Sequence, residues 1–156
     1  MFTGEFTHVL DPKGRVSVPS DMRDVMRETY GDEELMVTKS LKGACLWAFP
    51  KKGWVEFSER LRATQGDTRA SGNAERMIQM RRLLFTAARR CPVDKAGRVL
   101  IPEELRSWAK IEGSAVFCGN DQYIEIWSPD GWKAETEALD SSETKAAILA
   151  AVGHGF

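Results

Sequence analysis

The chain is poor in the residues that metal and disulfide chemistry require. Its two histidines, His8 and His154, lie at opposite ends of the sequence, and its three cysteines, Cys45, Cys91 and Cys118, are widely spaced with no Cys-x-x-Cys among them. That pattern excludes a zinc-ligand spacing and a disulfide framework. An odd number of cysteines in apolar, strand-like contexts reads instead as reduced core thiols of a cytoplasmic protein. Long apolar runs are missing too, and the opening Met1-Phe2-Thr3-Gly4-Glu5 has no basic segment, so neither a signal peptide nor a membrane partner is expected. Catalytic signatures are equally scarce: there is no Ser, His and Asp pattern and no phosphate-loop glycine signature. Glu33-Glu34 and Glu103-Glu104 are chain neighbours that cannot face one cleft as an acid and a base, and the second pair suits a helix N-terminus. No enzymatic activity, cofactor or metal is expected.

What is present is ordinary globular composition, 42% hydrophobic and 29% charged over 156 residues, enough for one compact domain. The net charge of -1 conceals an asymmetry. Residues 60 to 98 carry Arg60, Arg62, Arg69, Arg76, Arg81, Arg82, Arg89, Arg90, Lys95 and Arg98 against only Asp67, Glu75 and Asp94. From Glu125 onward acidic side chains dominate. A basic face and an acidic tail are permitted, although solvated helix surfaces would read the same way.

The most informative feature is a repeat. Asp11-Pro12-Lys13-Gly14-Arg15-Val16-Ser17-Val18-Pro19 returns 83 positions later as Asp94-Lys95-Ala96-Gly97-Arg98-Val99-Leu100-Ile101-Pro102. Met22 and Arg23 align with Leu105 and Arg106 at the same offset, and Leu46 to Pro50 align with Glu125 to Pro129 at an offset of 79. Each half alone would scarcely bury a core, so the duplication predicts two half-domains sharing one. An arginine kept on a tight turn in both copies offers two equivalent cationic points to a repetitive partner, for which double-stranded DNA is the obvious choice.

Local patterns predict a ββαββ unit in each half. Phe6–Leu10 and Arg15–Val18 read as strands joined by a hairpin or bulged turn through Pro12-Lys13-Gly14. Ser20 is expected to cap a short helix with Met22, Val25, Met26 and Tyr30 on its apolar stripe and Gly31 at its stop. The second copy has Pro102 at the entry, Leu105, Trp108 and Ala109 on one face, and Gly113 at the stop. Segments 35–38 with 45–49, and 115–118 with 123–127, read as strand pairs. Connector helices follow: Trp54, Phe57, Leu61 and Gln65 share one face, and Ser71 is expected to cap a longer helix through Met77, Met80, Leu84 and Ala88. The polar loop Thr68 to Asn73 is the expected proteolysis site. A tail helix begins near Pro129 and Trp132, breaks at Ser141-Ser142 and resumes through Ile148, Leu149 and Val152. The five tryptophans sit at core-packing positions rather than forming a base-stacking platform.

The Asp-x-x-Gly-Arg-aliphatic-x-aliphatic-Pro turn, followed by a short helix with an arginine near its start, resembles the AbrB-like swapped-hairpin DNA-binding proteins. Two such units in one chain, opening on Met-Phe-x-Gly and closing the second unit on Glu125-Ile126-Trp127, resemble the MraZ family of transcriptional regulators from Met1 to about Trp132. The resemblance implies an α+β fold with a pseudo-twofold, swapped-hairpin β-barrel core. It divides the chain into repeat 1 with its following helix (1–65), a connector helix region (66–90), repeat 2 (91–134) and a helical tail (135–156). It further implies a homo-oligomeric ring, typically an octamer, that binds promoter repeats through its Asp-x-x-x-Arg loops in the cytoplasm and nucleoid. The regulator would act as an autoregulating repressor of the division and cell-wall gene cluster. An oligomeric scaffold or an antitoxin using the same loops for protein contacts is the alternative.

Residue chemistry assigns the parts. Lys13 with Arg15, and Lys95 with Arg98, form two cationic pincers, the lysines suited to phosphate and the forked arginines to a guanine edge. Asp11 and Asp94 are expected to accept turn amides or to pair with the arginine of their own loop, and Gly14 and Gly97 to supply the turn conformation. In the second copy Ala96 replaces the central lysine and Lys95 stands one position earlier, so the first copy is the better match. A few cations per subunit bind weakly, and a ring gains affinity by engaging several sites.

Overall fold

The structure is a computed structural model that describes residues 1–64 and 72–153. Gln65, Ser71, most of the expected proteolysis loop and His154 lie outside the described residues. The first repeat consists of β1 (Glu5–Val9), β2 (Arg15–Ser17), α1 (Ser20–Val25), β3 (Glu34–Lys39) and β4 (Leu46–Pro50), with α1 widening into a π turn over Met26–Tyr30. Helices α2 (Lys51–Ala63) and α3 (Ala74–Ala87) lead to the second repeat: β5 (Arg89–Pro92), β6 (Arg98–Leu100), α4 (Glu103–Trp108), β7 (Ser114–Asn120) and β8 (Tyr123–Trp127). The chain then runs through α5 (Pro129–Leu139) and α6 (Ser142–Val152). This is a mixed α+β fold with antiparallel sheets.

The halves exchange strands. One sheet of six has the order β1-β7-β8-β4-β3-β5, and a separate two-stranded ribbon joins β2 to β6. Swapping the repeats, β1 for β5, β3 for β7 and β4 for β8, leaves the order of the large sheet unchanged. In the ribbon Val16 stands opposite Val99, its own counterpart in the repeat, so the local twofold passes through that pair. Strands β4 and β8 form the central ladder, with Trp47 opposite Glu125.

Between a hairpin and a bulged turn, the structure forms a turn without a hairpin ladder: Leu10, just after β1, makes an isolated bridge to Val16, and the strands then diverge, β1 to β7 and β2 to β6. No closed barrel forms either, because β1 and β5 are the outer strands of the large sheet and are not hydrogen-bonded to each other. Pairing between repeats places Val16, Val18, Val99 and Ile101, all at most 1% exposed, in one core with Met22, Leu105 and Phe117. A three-residue strand closed only on its own neighbour could not achieve that burial.

Helix entries also differ. Pro19 and Pro102, not Ser20, occupy the cap positions, without side-chain caps. Proline has no N–H to leave orphaned, and the Pro19 and Pro102 carbonyls accept from the Arg23 and Arg106 amides, both at 3.0 Å. The first helix stops as expected at Gly31, with φ 61°, whereas α4 ends at Trp108 and the chain turns through Lys110 with φ 56° rather than waiting for Gly113. The tail breaks at Ser141, whose side chain caps α6 as that of Ser128 caps α5.

The remaining core is conventional. Trp54 and Trp127 are buried, Trp47 packs against Phe57 and Tyr123, and Trp132 against Trp127. All three cysteines are buried, unbridged thiols. Burial pushes each of them up to about 12, far from the thiolate needed for redox or nucleophilic work. Helix α3 is docked by the buried Thr38 hydroxyl, which donates to the Leu84 carbonyl at 2.6 Å.

Candidate nucleic-acid interface

Each Asp-x-x-Gly-Arg segment folds into the same turn because one aspartate organises it. The Asp11 amide donates to the Arg15 carbonyl at 2.9 Å, and the Gly14 amide to the Asp11 carbonyl at 2.9 Å. The Asp11 Oδ1 accepts the amides of Lys13 and Arg15, both at 2.9 Å, while Oδ2 accepts Arg15 Nε at 2.6 Å. The second turn repeats the pattern: Asp94 Oδ1 accepts the Ala96 and Arg98 amides at 2.9 Å, and Oδ2 accepts Arg98 Nε at 3.2 Å. The Arg15 amide, foremost, lowers the pKa of Asp11, and the Arg98 amide that of Asp94, so both remain ionised near neutral pH. Arg15 and Arg98 thereby spend Nε on their aspartates, and their Nη groups make no hydrogen bond among the described residues.

Strand alternation then aligns the two arginines. In the ribbon, Arg15 stands opposite Leu100 and Ser17 opposite Arg98. Directly opposed residues share a face, as do residues two apart, so Arg15, Ser17, Arg98 and Leu100 all lie on the face opposite the buried Val16 and Val99. Two residues of strand rise, roughly 7 Å, separate Arg15 from Arg98 along the ribbon. The side chains of Arg15 and Arg98 are 38% and 37% exposed, and Lys13 and Lys95 are exposed on their turns. Of the four cationic residues singled out in the sequence, Arg15 and Arg98 thus share one outward face of the ribbon, and Lys13 and Lys95 stand on the exposed turns at its two ends.

Two further arginines, Arg23 and Arg106, lie against these turns. Gly14 and Gly97 are buried and have φ of 89° and 79°. A Cβ at Gly14 would sit 2.5 Å from Cζ of Arg106, and one at Gly97 2.6 Å from Cζ of Arg23. Each turn glycine therefore lies under the guanidinium of the other repeat. Arg106 Nε donates to the Ile101 carbonyl at 2.8 Å and Arg23 Nε to the Val18 carbonyl at 3.1 Å, fixing both groups. The visible signal was their common 83-residue offset.

Among the described residues of the basic segment 60–98, several arginines have partners of their own. Arg90 makes two hydrogen bonds to Glu34, at 2.5 and 2.9 Å, Arg89 pairs with Glu104 at 3.5 Å, Arg60 donates to Gln122, and Arg81 lies over Phe85. Among the described residues no His, Cys, Asp and Glu cluster is arranged to hold a metal, and no helix is long and apolar enough to cross a membrane.

A family model described as "MraZ protein, putative antitoxin-like" matches residues 1–77 and 84–151. The chain is 36% identical over 150 residues to the transcriptional regulator MraZ of Heliobacterium modesticaldum, covering 94% of each protein. It is 36% identical over 156 residues to that of Lachnoclostridium phytofermentans, covering 100% of both, and 38% identical over 135 residues to that of Carboxydothermus hydrogenoformans, covering 85% of this chain and 84% of the relative.

Proposed function

The chain belongs to the MraZ family, and from that premise we propose that it is a transcriptional regulator that reads double-stranded promoter DNA with the outward face of the β2–β6 ribbon. The observation that carries this reading is the shared face of Arg15 and Arg98, with Lys13 and Lys95 at its two ends. A two-stranded ribbon fits the major groove. There the arginine forks, held through Nε by Asp11 and Asp94, keep their terminal nitrogens for a guanine edge or a phosphate, and the lysines take neighbouring phosphates. The aspartates direct their charge to turn amides and to the arginine Nε, which offsets the repulsion a free carboxylate would exert on DNA. Catalysis has no part in this reading, and a cytoplasmic, nucleoid-associated protein suits it.

The strand exchange supports a swapped-hairpin origin, with repeat 1 and its helix over 1–65, the connector over 66–90, repeat 2 over 91–134 and the tail over 135–156. Four cations per ribbon neutralise few phosphates. Tight binding therefore calls for a homo-oligomeric ring, an octamer in keeping with the family, engaging successive promoter repeats. The regulator is read as an autoregulating repressor of the division and cell-wall gene cluster. The logarithm of affinity should fall with the logarithm of salt with a slope near −0.9 per neutralised phosphate, about −4 for one fully engaged ribbon and steeper for several.

The test is a titration of purified protein against fluorescent duplex from upstream of its own gene, with a scrambled duplex of equal length as competitor. Cooperative binding that the scrambled duplex does not displace is expected. Equal affinity for both duplexes would reduce the loops to nonspecific cationic contacts, and no binding would favour the scaffold reading. The family description also carries the antitoxin reading, which copurification of a partner toxin would favour.

A further inference from the structure

Neither turn is completed by its own repeat. Asp11 and Arg15 close the first turn from within, but the buried α-carbon of Gly14 is covered by the guanidinium of Arg106, which is carried by the last turn of α4 in the second repeat. Gly97 is covered in the same way by Arg23, in the last turn of α1. We infer that Arg23 and Arg106 are positioning residues for DNA recognition and that they act crosswise: Arg106 sets the turn presenting Lys13 and Arg15, and Arg23 sets the turn presenting Lys95 and Arg98. The inference rests on the DNA reading above and assigns to it two side chains outside the Asp-x-x-x-Arg loops.

The geometry gives each clasp a defined lever. Gly14 donates its amide to the Asp11 carbonyl and accepts the Ile101 amide at 3.2 Å, so it joins the turn to the end of the ribbon. On the other side, Gly97 donates to the Asp94 carbonyl at 2.9 Å and accepts the Val18 amide at 2.9 Å. Ile101 and Val18 are the residues whose carbonyls hold the Nε of Arg106 and Arg23 respectively. The same strand residue therefore grips the turn glycine through its amide and the clasping arginine through its carbonyl. Displacing Arg106 must loosen the glycine, the turn and the ribbon end together, whereas the second turn has its own clasp.

This work needs a flat guanidinium rather than a charge. The group lies against a glycine with no side chain, where an added Cβ would collide with it, and it directs Nε to a carbonyl fixed by the strand. A lysine ammonium can supply neither the plane nor the Nε hydrogen. Both arginines are half-buried with Nε already committed, which separates them from Lys13 and Lys95 on the exposed turns.

The experiment uses the full chain with Arg106→Lys, Arg23→Lys and each of these combined with Arg98→Ala. Hydrogen exchange read by mass spectrometry reports on the turns without DNA, and titration of the own-promoter duplex reports on function. Arg106→Lys should accelerate exchange in the 11–17 segment and leave 94–100 protected, and Arg23→Lys should do the reverse. Arg106→Lys should weaken binding on the order of ten-fold, a loss within the usual range for residues of one network. Arg23→Lys on the Arg98→Ala background should lose little further, because both act through the same turn, whereas Arg106→Lys on that background should multiply the loss.

Full binding by the lysine variants would overturn the inference, since charge alone would then suffice as it does for a direct phosphate contact. Exchange that rises in the arginine's own repeat, or throughout the chain, would overturn it as well by making the residues general stabilisers. Crosswise exchange in a wild-type protein that binds no DNA would remove the positioning role and the DNA reading together. Wild-type binding without crosswise exchange would remove only the inference.

Discussion

One side chain type organises the site. Asp11 and Asp94 each accept two turn amides and one arginine Nε, and this explains the spacing of aspartate, glycine and arginine more directly than any contact with DNA could. Both carboxyls titrate below the ordinary value of 3.8, chiefly because the Arg15 and Arg98 amides donate to the charged form. The sign follows from linkage: a carboxyl depressed by folding stabilises the native state above its unfolded value, and that contribution disappears as the pH falls through the folded value. The melting-temperature difference between wild type and Asp11→Asn should therefore be the same at neutral and mildly acidic pH and should shrink only below about 3.8. A difference already shrinking in mildly acidic buffer would show that another group holds the turn. Much of this residue chemistry was legible beforehand, because Asp-x-x-Gly-Arg is a local pattern whose hydrogen bonds close within five residues. The clasps were not legible: the shared offset of Arg23 and Arg106 marks them as equivalent, but nothing local says that each reaches the opposite turn.

Among the elements, the strand pairs 35–38 with 45–49 and 115–118 with 123–127 follow directly from apolar patterning and short connections. The pairings of β1 with β7 and of β3 with β5 do not, because register between distant segments is decided by shared burial rather than by turn chemistry. Helix ends show the same division. Gly31 marks its stop, whereas Lys110 takes up positive φ without any glycine to announce it. Helix α3 is anchored inward by Thr38 through the Leu84 carbonyl. Thr38→Val keeps the shape and removes that donor from a fully buried position, so chemical denaturation should show a loss of roughly 1–3 kcal/mol with the slope unchanged. An unaffected midpoint would mean that α3 is held by packing alone.

For the whole molecule, the duplication makes two turns into one surface. The palindromic strand order places Val16 against Val99 on the pseudo-twofold, and the arginines that follow from that register share a face, at opposite ends of the ribbon. A single unexchanged repeat would present one turn without its clasp and without its second cationic partner. The copies are not equal, since Lys13 has Ala96 as its counterpart, and the first turn is expected to carry more of the binding. The most direct measurement is a parallel titration of wild type, Arg15→Ala and Arg98→Ala against the own-promoter duplex, with melting temperature and oligomer mass recorded for each. Loss of binding in Arg15→Ala and a smaller loss in Arg98→Ala, with fold and assembly unchanged, is the predicted result. Normal binding by Arg15→Ala, or its dissociation into unfolded or monomeric chains, would contradict the account.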